Sequence, residues 1–182
     1  MLNNILSSPL TRIAVRYGAL TAVLLMVFVV SMYYMDTHPF LVNPFLDPRI
    51  PVFAIMLSFA LKEYRDDYLG GSLFFGQSMV LSFLLTLIAA SLCYVGILLF
   101  AMLEPALVSS FVKLAEEQTK AFSAEDIDRI GKETFEQSLR ELKQADRYFL
   151  AGRYFFQSYI ISFFISVIVS VILRRTPKEP VA

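Results

Sequence analysis

Two runs of hydroxyl side chains come closest to forming a chemical pattern in this chain. Ser158, Ser162, Ser166 and Ser170 recur at four-residue steps, and Ser78, Ser82 and Thr86 repeat the spacing, with Ala90 following. On a helix each run forms one stripe. A serine acts as a nucleophile only when a base takes its proton. The single histidine, His38, stands beside Pro39 in a proline-rich stretch, where it reads as a solvated side chain. Small residues at this spacing instead let helix backbones approach closely, so the stripes are read as the packing seam of two helices. The sharper alternative is a polar path lined by the serines, although such a relay ordinarily includes an ionisable group.

The most distinctive cluster is Lys62-Glu63-Tyr64-Arg65-Asp66-Asp67-Tyr68-Leu69-Gly70-Gly71, followed by Phe74-Phe75-Gly76-Gln77. Lys62 and Arg65 complement a helix C-terminus, an aspartate caps a turn, and the glycines supply positive φ. Lys62, Tyr64, Arg65, Asp66, Gly70 and Gly71 are therefore either a solvated turn or a contact for a protein partner or lipid headgroup. No phosphate-binding loop, nucleophile elbow or zinc-spaced set of His and Cys occurs. Cys93 is the only cysteine. The sequence thus gives no catalytic residue, cofactor or metal, and the expectation is a non-enzymatic protein.

The elements that carry these residues follow from hydropathy. Hydrophobic residues make up 57% of the 182, charged residues only 18%, and the formal net charge is zero. That composition suits lipid as the solvent and offers no global charge for nucleic acid. Uncharged runs, the second extended by Arg49 and Lys62 snorkelling at its ends, place four membrane-spanning helices at about 17–35, 48–64, 74–103 and 154–173. Arg12 and Arg16 precede a first run too long for a signal-peptide core, so it is read as a retained anchor. Asp47-Pro48 has the form of a helix N-cap and first position. Tyrosines near the ends of the runs fit an interfacial belt.

Residues 104–153 hold ten acids against eight bases and cannot cross lipid. Apolar residues recur there at helical spacing, and Ser123 with Asp126 resembles a capping box. The expected architecture is all-α: one polytopic domain over 1–182 with an extramembrane amphipathic helical hairpin between the third and fourth spans. The arm from Ser123 is expected to run unbroken into the last span, with Arg147 and Arg153 snorkelling. Gln77 and Gln157 are read as helix-end hydrogen-bonding groups.

Four spans place both termini on one side, together with Arg12, Arg16, Lys62, Arg65, Arg174, Arg175 and Lys178; that side is expected to be cytoplasmic. The Tyr64-Arg65-Asp66, Leu69-Gly70-Gly71 and Phe75-Gly76-Gln77 motifs resemble the bacterial inner-membrane family called domain of unknown function 4199, found chiefly in Bacteroidota. The resemblance covers most of the chain, from about the first span to Arg175. It implies four helices in a bacterial cytoplasmic membrane and adds no catalytic residue. Spans without chemistry and an amphipathic excursion whose apolar faces need burial give the expectation of a partner-binding accessory subunit, and the resemblance implies a polyprenyl-linked glycosyltransferase as its neighbour. A small transporter or lipid-handling protein acting as an oligomer is the alternative.

Overall fold

A computed structural model describes residues 8–175. Among these the fold is seven α-helices without a named strand: α1 (Pro9–Tyr34), α2 (Arg49–Glu63), α3 (Phe75–Leu103), α4 (Ala106–Thr119), α5 (Ala124–Ile130), α6 (Lys132–Lys143) and α7 (Arg147–Leu173). The segments containing α1, α2, α3 and α7 are long and apolar enough to cross a membrane. The expected tail beyond Arg175, with Pro177, Lys178 and Pro180, and the first seven residues lie outside the described part.

Local chemistry sets the helix ends. Ser8 caps α1 by accepting the Thr11 amide at 3.2 Å, and Pro9 occupies the first turn, where no amide is needed. The helix therefore starts eight residues before the uncharged run and carries Arg12 and Arg16 on its first turns. Asp47 accepts the Arg49 amide at 2.9 Å and starts α2. That helix ends in a π-helical turn, Tyr64–Tyr68, and Gly70 and Gly71 then reverse the chain with φ of 58° and 85°. Gln77 Oε1 accepts the Phe74 amide at 3.1 Å at the head of α3. Leu73 and Arg175 exchange backbone hydrogen bonds of 2.8 and 3.1 Å, tying the end of α7 to the approach of α3.

Helix α3 is the centre of the bundle, packed on α1 to one side and on α7 to the other. Gly18 makes the first contact possible: a Cβ there would lie 2.9 Å from the Leu85 carbonyl oxygen and from Ile88 Cβ. On the other side Ser78, Ser82, Thr86, Ser158, Ser162, Ser166 and Ser170 are all buried. Thr86 Oγ1 donates to the Ser82 carbonyl at 2.8 Å and also meets Ser162 Oγ. With the threonine proton committed to that carbonyl, Ser162 is the donor across the helices.

The unbroken helix expected from Ser123 into α7 is interrupted twice. Gly131, at φ 92°, separates α5 from α6, a conformation that L side chains rarely adopt. Residues 144–146 then form a turn, and Asp146 Oδ1 accepts the Phe149 amide at 2.8 Å to start α7 afresh. The chain is nevertheless helical through Gly152, so the join at 151–154 belongs to α7. Three helices, instead of two, occupy 106–143.

Candidate functional site

Where α2 and α7 begin, away from the termini, the structure gathers side chains that sequence order keeps far apart. Asp47 and Arg49 are only 6% and 8% exposed. Arg49 Nε lies 2.9 Å from both Asp47 carboxylate oxygens, and its Nη2 reaches Gln157 Oε1 at 3.2 Å. The guanidinium stacks 4.6 Å from the Tyr154 ring centroid. Arg49 does not snorkel outward as expected: the Asp47 carboxylate and the Tyr154 face hold it inside the fold. Gln157 likewise bonds across to Arg49 and not to its own helix end.

A shell of aromatic rings packs around this pair. Phe40 meets Phe111 and Tyr154 edge-on, at centroid distances of 6.4 and 5.9 Å. Arg153, one turn beyond Phe149 on α7, lies 5.6 Å from the Phe111 ring centroid. The apolar face of α4, with Leu107, Phe111 and Ala115 buried, brings Phe111 to this position.

His38 completes the shell and is buried, not solvated. Its Nε2 faces the Leu107 carbonyl at 3.2 Å, while Nδ1 accepts the Phe40 amide at 3.4 Å. A carbonyl on one nitrogen and an amide on the other fit the neutral ring with its proton on Nε2. Burial pushes the His38 pKa down, against a smaller upward pull from the Leu107 carbonyl.

Between the 39–44 loop, α2, α4 and α7 lies a cleft of about 450 Å³. Asp47, Arg49, Arg153, Gln118 and Gln157 give it a polar wall, and Ile160 and Ile161 an apolar one. A neighbouring chamber of about 410 Å³ lies under α5 and α6, sharing Leu41, Gln118 and Arg153. Two guanidiniums and one carboxylate give the first cleft a net positive wall, a chemistry suited to anions and charge-assisted hydrogen bonds. Sequence reading finds Arg49 and Arg153 separately; they stand 104 positions apart, and only tertiary packing brings both to one cleft.

The other sequence candidates lie at the opposite end of the bundle or along its seam. Arg65 is buried and pairs with its neighbour Asp66, Nε to Oδ1 at 2.7 Å, and its carbonyl accepts the Gly71 amide at 2.9 Å. Tyr64 and Tyr68 have ring centroids 6.5 Å apart, and Lys62 is exposed. Glu63, beside them, accepts from Tyr17 at 2.9 Å and pairs with Arg16. The turn is thus tied into the bundle. Along the serine seam a space of about 80 Å³ adjoins Thr86, Ser162 and Ser166.

The four long apolar helices are compatible with a multi-pass membrane protein. Residues 16–175 match the family described as protein of unknown function DUF4199, and the chain belongs to that family. No curated protein and no solved structure matches it.

Proposed function

We propose that this chain is a non-enzymatic accessory subunit of a bacterial inner-membrane complex, with both termini cytoplasmic and α4–α6 forming a helical hairpin on the outer surface. One observation carries the reading. Helices α5 and α6 contribute a single buried residue, Leu142, to the fold. Yet they are built with care: a reciprocal Ser123–Asp126 cap, and ion pairs from Arg129 to Glu125 and from Arg140 to Glu136. Exposed pairs of this kind contribute about 0–1 kcal/mol each. An arm that adds so little to the core is accounted for by what it contacts, a protein partner or a second copy of the chain. The Lys62–Gly71 turn offers a second contact at the other end.

Affinity purification of the full chain from native membranes in mild detergent tests this. The expected result is a stoichiometric partner, or a homo-oligomer, that is lost when 123–145 is replaced by a short Gly/Ser linker. A chain that purifies as a monomer, or keeps its partner without the arm, refutes the reading.

The cleft favours the second reading, a lipid-handling protein, because its polar wall stands directly above the apolar flank of α7. A transporter that uses the serine seam would need a continuous path. Its sign would be flux in liposomes abolished by Ser162→Leu or Ser82→Leu.

A further inference from the structure

The cleft between Asp47 and Arg153 contains a guanidinium with no acidic partner among the described residues, and we infer that it binds the phosphate of an anionic membrane lipid. Asp47 is the only carboxylate on the wall, and Arg49 occupies both of its oxygens. Arg153 is left as an uncompensated cation. It is exposed, and its described contact is with the face of Phe111.

Unmet donors point the same way. Arg49 is more than nine-tenths buried, and its Nη1 has no hydrogen-bond partner. A buried charged donor without an acceptor is costly, and an anion held in the cleft beside it offsets the charge. Gln157 spends its carbonyl oxygen on Arg49, which leaves its amide N–H groups as donors. Arg153 and Gln157 thus supply donors from α7, beside the buried Arg49 charge. A tetrahedral phosphate with several acceptor oxygens suits that set better than a planar carboxylate with two.

The apolar wall identifies the carrier. Ile160 is 59% exposed on the outer flank of α7 and lines the cleft together with Ile161. The uncharged stretch of α7 begins one residue after Arg153, at Tyr154. A phosphate held at Arg153 therefore stands at headgroup depth, with its acyl chains beside Ile160 in the hydrocarbon. A lipid with net negative charge meets the surplus cation; a zwitterionic one brings its own.

The test uses the full chain in detergent micelles, titrated with a fluorescent phosphatidylglycerol and then competed. Unlabelled phosphatidylglycerol should displace the probe, phosphatidylcholine should be at least tenfold weaker, and inorganic phosphate should act only at millimolar concentration. Arg153→Gln should weaken binding tenfold or more, with its melting curve by circular dichroism unchanged, and Arg153→Lys should recover part of the loss. Arg12→Gln, at the opposite end, should bind as the wild type does. Equal competition by phosphatidylcholine, wild-type binding by Arg153→Gln, or an equal loss in Arg12→Gln would overturn the site. Oleate competing as well as phosphatidylglycerol would overturn phosphate as the recognised group, and inorganic phosphate competing at lipid concentrations would overturn the lipid as its source.

Discussion

Arg49 Nε sits 2.9 Å from each oxygen of Asp47, and Asp47 Oδ1 also accepts the Arg49 amide at 2.9 Å. One carboxylate thus starts α2 and neutralises a cation that has left water. Removing it strands a buried guanidinium, a change that costs about 3–5 kcal/mol. Asp47→Ala is therefore expected to lower thermal stability in detergent sharply. Asp47→Ala with Arg49→Met should lose less than the sum of the single changes, because the stranded charge is gone. Strict additivity in that double-mutant cycle would show that the pair is not coupled.

The contact of α1 with α3 depends on Gly18 in a different way. A side chain there runs into the Leu85 carbonyl, a backbone atom that cannot swing aside. Gly18→Val should cost about 1–3 kcal/mol by overpacking. Gly152 has nothing within 4 Å of a new Cβ, so Gly152→Ala should be neutral or gain up to about 1 kcal/mol of helix propensity. Detergent melting curves compare the two directly, and equal effects would refute the close approach.

His38 gives the fold a pH dependence with a defined sign. Burial lowers its pKa in the folded chain below the ordinary value of 6.5. Above about pH 6.5 the ring is neutral in both states and its full contribution is present. As pH falls through that value the unfolded chain takes up the proton first, and stability drops until the folded-state pKa is passed. Protonation also removes the Nδ1 lone pair that accepts the Phe40 amide. Melting temperature should therefore fall more between pH 7.5 and 5 in the wild type than in His38→Gln. Parallel slopes would contradict this account.

These cases show what the sequence made legible. The start of α3, the Asp47 and Ser123 caps and the positive φ of Gly70 and Gly71 are local, written in residue type and spacing. Gly131 and Asp146 carry equally local signals, a helix breaker and an N-cap, but the apolar periodicity that continues across them masks both breaks. The cleft had no local signal at all. His38 beside prolines looks solvated until Leu107 and Phe111 of α4 cover it. Arg49 and Arg153 each look like interfacial anchors until the fold sets both around Gln157 and Tyr154.

The proposed orientation, with this cleft on the extracytoplasmic side of the membrane, rests on basic residues. Arg12, Arg16, Lys62, Arg65, Arg174 and Arg175 lie at the end of the bundle where the Leu73–Arg175 bridge and the Arg16–Glu63 pair are found, whereas the 36–48 loop at the other end carries no Lys or Arg. Cytoplasmic loops retain Lys and Arg, and neighbouring acids contribute little to that bias. The charged 104–153 segment has bases of its own but is net acidic, so the short connections decide. His38 is a poor position for a reporter because it is 9% exposed, whereas Phe45 in the same loop is 91% exposed. In a Cys93→Ala background, Phe45→Cys should react with a membrane-impermeant maleimide in cells with permeabilised outer membranes, and Asp67→Cys only after lysis. The reverse pattern would invert the protein and move the cationic cleft to the cytoplasmic surface.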